Sequence, residues 1–366
     1  MNSSVRKQDL RVALIGCGRI AKRHAELLTA GEIEGAALAA VCDVIAERRD
    51  HFSRQFRVPG YSDMHELCKS ERPDLVAVLT ESGHHARHVI ELATHGRHVL
   101  VEKPMALTLD DADAMIRACA VNNVRLFVVK QNRFNVPVVK LRQALQSGRF
   151  GKLVLGTVRV RWCRRQDYYD QDSWRGTWAL DGGVLANQAS HHVDLLEWMM
   201  GDVESVFARS TTALVDIEAE DTAVVTLKFR NGALGVIEAT TAARPTDLEG
   251  SISILGEHGT VEIGGFAVNE LKVWRFEPSL PDDSTVREQY SVNPPSVYGF
   301  GHKAYYQHVV DCIRTDAPAL VDGLEGRKSL ELISAIYESI ETSREVTLRF
   351  KPQRCRLGLV AAGGGQ

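Results

Sequence analysis

The sequence lacks the features that mark nucleic-acid-binding, membrane-spanning or secreted proteins. Its formal net charge is only −3, so it has no excess of positive charge to gather nucleic acid or an anionic membrane surface. No apolar run approaches the ~20 residues that a membrane-spanning helix needs. The opening stretch, MNSSVRKQDLRVALIG, has no signal-peptide pattern, and we therefore expect a cytoplasmic protein.

The cysteines and histidines also lack the spacings that are typical of a disulfide framework or a metal site. Seven cysteines, an odd number, lie far apart, and no two of them form a CxxC pair. A group of histidines lacks a second cluster of potential ligands at the usual spacing. We therefore expect neither a disulfide framework nor a metal site. The histidines of this group are His84, His85, His88, His95 and His98.

What is present is enough chain for two domains. With 366 residues the chain exceeds the size, ~250–300 residues, at which one hydrophobic core stops growing. Residues 1–130 alternate short apolar runs with helix-length segments, which is the pattern of parallel strands buried on both faces. We predict an α/β domain here, with a doubly wound parallel sheet of the Rossmann type.

Residues 131–366 show a different pattern, with successive strands separated by turns. In LVLGTVRVRW, Val158, Val160 and Trp162 alternate with polar residues, which is typical of a strand with two unlike faces. We predict an α+β domain with a largely antiparallel open sheet. Helices are expected at 136–146, 188–200, 302–313 and 324–342, and a loosely held tail from about residue 352.

The stretch RVALIGCGRIAKRHAELL has the features of a dinucleotide-binding turn. Gly16 permits a tight turn, Gly18 lets the backbone approach a pyrophosphate, and Ala21 keeps the helix close to the strand. Arg19 and Ile20 begin the helix whose N-terminus would face the phosphates. A glycine turn alone also suits other α/β proteins, but here the strand and helix around it match.

Asp43 adds a second, independent feature. It ends the next apolar run, 22 residues after the last small residue of the turn, near the ~20 expected of a carboxylate that binds ribose. Val44 and Ile45 follow it, and neither is suited to a 2′-phosphate. NAD is therefore favoured over NADP, although Arg48 and Arg49 on the next helix weaken that preference.

Four short motifs, spread along nearly the whole chain, carry a family resemblance. They are GCGRIA at residues 16–21, Thr80 followed five residues on by His85, Glu102-Lys103-Pro104 after an apolar strand, and GGVLANQASHHVDLLEWMMG at residues 182–201. Together they resemble the Gfo/Idh/MocA oxidoreductase family. The resemblance implies a dehydrogenase in which Thr80, His85, Glu102 and Lys103 border NAD. The sequence departs from the family at two places. Residues 81–83 are ESG, where the family commonly has Pro-Asn, and residue 187 is Asn, where many sugar dehydrogenases of the family have Asp.

Lys103, His191 and Asn187 are the predicted catalytic residues. Lys103 ends a strand, where ligands of open α/β sheets collect, and burial beside the nicotinamide would lower its pKa toward the working range. Helical spacing places Asn187, His191, Asp194 and Trp198 on one face, and His191 has the titration range of a general acid/base. Asn187 cannot accept a proton, so it would orient the substrate or Lys103. The alternative for Lys103 is a solvated lysine at the end of a strand, and the alternative for His191 is a histidine with a structural role.

Three stretches resemble a narrower group within the family, whose members oxidise C3 of UDP-N-acetyl-glucosaminuronic acid for bacterial surface polysaccharides such as O-antigen. They are KQNRFN at 130–135, RWCRRQDYYDQDSWRGTW at 161–178 and SVYGFGHKAYY at 296–306. Arginine forks suit a carboxylate and a diphosphate, and aromatic rings stack on sugar or base, although such arginines also occur at sheet edges and oligomer contacts. Besides the catalytic residues, the expected substrate contacts are Gln131, Arg133, Asn135, Arg164, Arg165, Tyr168, Tyr169 and Arg175.

The resemblance also implies that residues 131–366 bind the substrate and form the contacts of a homotetramer, and that 2-oxoglutarate reoxidises NADH. Two alternative functions stay open at this point. One is a dehydrogenase of another sugar or cyclitol, including the neutral UDP-N-acetylglucosamine. The other is a non-catalytic dinucleotide-binding regulator, against which the presence of both Lys103 and His191 argues.

Overall fold

A computed structural model describes residues 9–291, 299–348 and 355–359. Of the predicted features, residues 296–298 of the third substrate stretch and most of the tail from about residue 352 lie outside these described residues. The chain divides into two compact units. The first comprises Met1–Ala106, Asp110–Val129 and His302–Gly326, and the second comprises Leu107–Leu109, Lys130–Gly301 and Arg327–Gln366.

The first unit is built on a parallel sheet. Its elements are β1 (Leu10–Ile15), α1 (Arg19–Thr29), β2 (Ala36–Cys42), α2 (Ala46–Phe56), β3 (Gly60–Tyr61), α3 (Met64–Glu71), β4 (Leu75–Val78), a 3₁₀ turn (Ser82–His84), α4 (His85–Ala93), β5 (His98–Val101), α5 (Leu109–Val121) and β6 (Leu126–Val128). The strand order is β3-β2-β1-β4-β5-β6, and every pair is parallel. This confirms the doubly wound sheet. Its order reverses between β1 and β4, the switch point at which such sheets bind ligands.

The remaining elements lie mainly in the second unit. They are a 3₁₀ turn (Gln131–Phe134), α6 (Val136–Gln146), β7 (Leu153–Arg161), α7 (Gln166–Tyr169), a π-helix (Val184–Gln188), α8 (Ser190–Met200), β8 (Val203–Thr211), β9 (Thr222–Phe229), β10 (Leu234–Thr240), β11 (Glu249–Gly256), β12 (Gly259–Gly264), β13 (Glu270–Phe276), α9 (Asp283–Gln289), α10 (Gly301–Thr315), α11 (Gly323–Thr342) and β14 (Val346–Thr347).

The second sheet is mostly antiparallel, as predicted. Its order is β13-β12-β11-β7-β10-β9-β8-β14, and only the β7–β10 pair is parallel among the described strands. Val158 and Val160 of β7 are fully buried, on the face against which α8 packs. A Cβ at Gly156 would lie 2.7 Å from Met200 and 2.8 Å from Leu196, so glycine lets α8 approach the strand closely. This close packing fixes the helix that carries His191.

The segment His302–Gly326, which we predicted in the second domain, belongs to the first unit. Main-chain contacts explain the difference. The backbone N–H of Val128 on β6 donates to the carbonyl of Val321 at 3.3 Å, and Phe127 forms a bridge with Asp322. The returning chain therefore covers the free edge of β6.

Disulfides and membrane-spanning helices were both expected to be absent. Each of the seven cysteines is free. Among the helices that the structure describes, none combines the length and apolarity required to cross a bilayer.

Candidate active site

Gly16 lies directly after β1, at the switch point of the first sheet. Its φ is +98°, and a Cβ there would lie 2.9 Å from the carbonyl carbon and oxygen of Leu79. Both the backbone conformation and the close approach therefore require glycine. At Gly18, by contrast, a Cβ would meet no atom of the described residues within 4 Å. Packing within the protein does not require glycine there, in keeping with the predicted approach of a pyrophosphate.

Asp43 is fixed against this glycine turn. Its Oδ2 accepts the backbone N–H of Cys17 at 2.8 Å, and its Oδ1 accepts that of Ile45 at 2.7 Å. Each carboxylate oxygen has a second lone pair with which to accept a ribose hydroxyl. The structure thus holds a carboxylate beside the turn in a set orientation, and its role in binding ribose stays a prediction.

His85 connects the loops that follow β4 and β5. Its Nδ1 lies 2.8 Å from the carbonyl oxygen of Pro104, and its Nε2 lies 3.0 Å from that of Thr80. Burial lowers the pKa of His85, and a neutral imidazole donates to only one of these carbonyls at a time. His85 therefore braces the loop that contains Lys103, which is half-buried at the carboxyl end of β5.

Glu102 holds the backbone of Lys103 from a buried position. Its Oε2 accepts the N–H of Lys103 at 2.9 Å, and its Oε1 lies 3.1 Å from Nε2 of His24. Burial would raise the pKa of Glu102, but the hydrogen bond from His24 and the nearby His302 ring, 3.8 Å from the carboxylate, outweigh burial and hold that pKa well below its usual range. His24 therefore donates from Nε2 to the carboxylate, and its Nδ1 accepts from the Tyr306 hydroxyl at 2.6 Å. A chain of hydrogen bonds thus runs from α10 to the backbone of Lys103.

His24, Glu102 and His302 also form the one group of potential metal ligands found among the described residues. Their ligand atoms lie within 4.8 Å of one another. Because His24 uses both ring nitrogens in hydrogen bonds, we interpret the cluster as a hydrogen-bonded network rather than a metal centre. Sequence reasoning missed it because His24 and His302 lie at opposite ends of the chain and no motif connects them.

In the second unit, Asn187 does not lie on the helix of His191. It belongs to the π-helix Val184–Gln188, in which the N–H of Ala189 reaches back to the carbonyl of Val184 at 2.7 Å. The prediction that Asn187 shares an α-helical face with His191 was therefore wrong, because α8 begins only after this wider turn. Single π-helical turns are frequent at functional sites.

The next turn of chain places His191 beside Gln131. The amide Nε2 of Gln131 lies 2.9 Å from Nε2 of His191, and both side chains are buried. The amide nitrogen only donates, so the ring nitrogen accepts, and the ring proton of a neutral His191 sits on Nδ1. Two predicted site residues are thus brought together, and Gln131 sets the tautomer of His191.

Arg133 is bound by the chain's own carboxylate. Its Nε and Nη2 each donate to Asp194 at 2.8 Å, and Lys130 Nζ lies 3.4 Å from the same carboxylate. Burial would raise the pKa of Asp194, but Arg133 and Lys130 outweigh burial and lower that pKa to about 2. The guanidinium also lies over the Trp198 ring at 4.8 Å. Asp194 therefore occupies the fork that we predicted for a substrate, and Arg133 supports the helix of His191.

Other predicted substrate contacts are also engaged inside the unit. Asn135 is buried and donates to the carbonyl of Ala267 at 3.1 Å. The buried Tyr169 hydroxyl lies 3.1 Å from that of Thr241, and burial raises the pKa of Tyr169 to about 12. Arg164 donates to Asp247 at 2.9 Å. In these positions the three side chains contribute to the framework of the unit.

Three predicted site residues are linked in one hydrogen-bonded group. Arg175 donates from Nη1 to the Tyr168 hydroxyl at 2.9 Å, and its guanidinium lies 4.6 Å over the same ring. The amide of Gln188 donates to the same hydroxyl at 3.0 Å, and lies 3.4 Å from Oδ1 of Asn187. Tyr168 and Arg175 are therefore connected to Asn187 through Gln188, a residue that the sequence analysis did not select.

Arg165 differs from the other three predicted arginines. It is exposed, and among the described residues its side chain makes neither a hydrogen bond nor an ion pair. Of the four, it is therefore the one whose guanidinium is available to a ligand.

Comparison with known families covers both units. Residues 10–130 match the oxidoreductase family, NAD-binding Rossmann fold, and residues 142–348 match the oxidoreductase family, C-terminal alpha/beta domain. The chain belongs to the Gfo/Idh/MocA oxidoreductase family. As a member of that family it is an NAD-dependent oxidoreductase, which confirms the predicted family and cofactor.

Within the Gfo/Idh/MocA family, the chain is similar to two solved WlbA dehydrogenases in complex with NADH and UDP-GlcNAcA. The Bordetella pertussis protein is 42% identical, with 94% of this chain and 100% of that chain covered and a TM-score of 0.86. The Chromobacterium violaceum protein is 41% identical, with 94% and 98% covered and a TM-score of 0.88. The myo-inositol 2-dehydrogenase of Thermotoga maritima is 31% identical over 349 residues, covering 93% and 98% of the two chains.

Proposed function

We propose that this protein oxidises the C3 hydroxyl of UDP-N-acetyl-glucosaminuronic acid to a ketone, with transfer of hydride to NAD. The supporting observation is its 41–42% identity, over at least 94% of each chain, to two dehydrogenases whose structures contain NADH and UDP-GlcNAcA. Identity to the myo-inositol enzyme is lower, at 31%. That difference favours an acidic sugar nucleotide over a cyclitol.

The glycine turn and Asp43 fit the pyrophosphate and ribose of NAD. Gly16 forms the tight turn after β1, Gly18 leaves space in which a pyrophosphate can approach the backbone, and the second lone pair on each Asp43 oxygen can accept a ribose hydroxyl. When bound there, NAD supplies the acceptor for the hydride. The remaining chemistry, removal of the hydroxyl proton, falls to side chains of the protein.

Lys103 and His191 are the groups that we assign to the hydroxyl proton. Glu102 fixes the Lys103 backbone through a buried carboxylate, which orders the base of that side chain. Gln131 donates to Nε2 of His191 and holds the only acceptor lone pair of the neutral ring, so the substrate hydroxyl replaces this amide at Nε2 before His191 takes its proton. Asn187 contributes hydrogen bonds and no proton transfer.

Arg165 is the residue that we assign to the negative charge of the substrate. A uronate carboxylate or a diphosphate requires planar donors that are not already neutralised. Arg133, Arg164 and Arg175 donate to Asp194, Asp247 and Asp172 respectively. The assignment of Arg165 follows by elimination among the four predicted arginines.

The outward face of the second sheet is the surface that we assign to assembly. Val224 of β9 and Leu234 of β10 are 50% and 57% exposed on the outward face of the second sheet, a surface suited to pairing between copies. We propose a cytoplasmic homotetramer that contacts through this face, regenerates NAD with 2-oxoglutarate and serves the synthesis of surface polysaccharides.

Steady-state kinetics with three candidate substrates test the proposed function. The purified protein is supplied with NAD, 2-oxoglutarate and UDP-GlcNAcA, UDP-N-acetylglucosamine or myo-inositol, and ketone formation is followed by mass spectrometry. We expect kcat/KM to be at least roughly tenfold higher for the acidic sugar nucleotide, because a charged hydrogen bond contributes ~1.5–3 kcal/mol. Preference for myo-inositol or for the neutral sugar nucleotide would contradict the proposal.

A further inference from the structure

Asp181 is a buried carboxylate that no sequence motif singled out. It lies shortly before the π-helix and is 2% exposed. Its Oδ2 accepts the backbone N–H of Gly176 at 2.8 Å, and its Oδ1 accepts from Nδ2 of Asn187. A buried carboxylate in direct contact with a predicted catalytic residue needs an explanation of its own, since buried charges are costly unless they are hydrogen-bonded.

The contact with Asp181 determines which end of the Asn187 amide faces which neighbour. A carboxylate only accepts hydrogen bonds, so the NH₂ group of Asn187 must point toward Asp181. The carbonyl oxygen is thereby turned to the other side, where the Gln188 amide lies 3.4 Å away. Asn187 as a whole is half-buried.

We propose that Asp181 is a positioning residue that fixes Asn187 as a hydrogen-bond acceptor for the sugar hydroxyl. This inference rests on the proposed function. It also explains the Asn at a position where many family members have Asp. A carboxylate at 187 would place two like charges in contact, whereas an amide satisfies Asp181 and still presents an oxygen.

The variant Asn187→Asp tests the pairing through its pH dependence. Two carboxylates in contact share one proton, because the like charge raises one pKa of the pair. While the pair holds that proton, one carboxylate and one neutral acid face each other, as the carboxylate and the amide do in the parent, and the variant stays active. The ratio of kcat/KM in the variant to that in the parent should therefore fall as pH rises, by up to about tenfold per pH unit above the raised pKa. A structural role alone predicts a ratio that does not change with pH.

Exchange of the pair provides the rescue. In the double variant Asp181→Asn/Asn187→Asp, one carboxylate and one amide again face each other, and the amide introduced at position 181 can still accept the Gly176 N–H through its oxygen. At pH 8 we expect kcat/KM of the double variant to lie within about tenfold of the parent value. At the same pH, kcat/KM of the single variant Asn187→Asp should be at least about tenfold lower than that of the double variant. Asp202→Asn, an exposed acid-to-amide change in the same unit, is the matched control and should leave kcat/KM unchanged.

The outcomes separate this inference from the proposed function. A parent protein that oxidises no UDP-sugar overturns the proposed function and the role of Asp181 with it. An active parent whose Asn187→Asp variant has a pH-independent ratio, or whose double variant is no better than that single variant, overturns the role of Asp181 alone. Thermal unfolding of each variant across the same pH range shows whether lost activity reflects lost fold, and a rescued, folded double variant supports the proposal.

Discussion

Substitution of Arg165 by Met removes the one guanidinium of the four that the chain does not already neutralise. A hydrogen bond to a charged group contributes ~1.5–3 kcal/mol, which corresponds to roughly a ten- to hundred-fold change in kcat/KM. Because Arg165 is exposed, screening by solvent and salt places the effect near the lower end. Substitution of the buried Arg133 should act differently, since it removes both guanidinium hydrogen bonds to the buried Asp194 and leaves that carboxylate with Lys130 alone of its two cationic partners. Breaking a buried ion pair costs up to ~3–5 kcal/mol of folding stability.

The assay compares two substrates in each variant. Loss of a carboxylate partner should lower kcat/KM for UDP-GlcNAcA and leave that for UDP-N-acetylglucosamine nearly unchanged, whereas loss of a diphosphate partner lowers both equally. Arg275→Met, an exposed change on β13, is the control and should alter neither value. Normal kinetics of Arg165→Met with both substrates would refute the reasoning that an unpaired arginine in this stretch binds the substrate.

Substitutions at three other points of the molecule give further predictions. Lys103→Met and His191→Asn should each lower kcat by ~10²-fold or more while the dissociation constant for NAD, measured by fluorescence, stays nearly unchanged. Glu102→Ala should lower the melting temperature, because it leaves the donors of His24 and Lys103 unpaired at ~1–3 kcal/mol each, whereas Glu102→Gln should be milder because the tautomer of His24 can reverse. Burial raises the pKa of Glu220 from 4.5 to about 7, so its protonated form stabilises the fold and that stability is lost as pH rises between these values. Glu220→Gln should therefore gain up to about 3 kcal/mol over the parent between pH 5 and pH 8, measured by urea unfolding; an equal difference at both pH values would contradict the assignment.

Local features of the sequence were sufficient for much of the fold. The predicted helix at 136–146 coincides with α6, and the alternation in LVLGTVRVRW marks β7 at Leu153–Arg161. The two-residue β3 at Gly60–Tyr61 is too short to leave a pattern. The return of His302–Gly326 to the first unit depends on pairing with β6, which no local periodicity encodes.

In the candidate site, too, features set by local sequence were predictable and features set by distant contacts were not. The glycine turn and Asp43 were predictable because each is defined by a strand, a turn and a spacing along the chain. The use of each arginine was not, because it depends on which carboxylate reaches it in three dimensions. Arg133 meets Asp194, 61 residues away, and only the folded chain shows that its fork is occupied. Asp181 was missed for the same reason, since the π-helix that turns Asn187 toward it has no distinct sequence pattern.

Transfer of a labelled hydrogen is the decisive measurement for oxidation at C3. UDP-GlcNAcA that carries deuterium at C3 is incubated with the purified protein and NAD, and the reduced nicotinamide is analysed by mass spectrometry. The proposed function predicts reduced NAD that carries the deuterium, together with a keto sugar nucleotide that has lost it. Unlabelled NADH, formed while the sugar retains its deuterium, or the absence of any NAD reduction would contradict oxidation at C3.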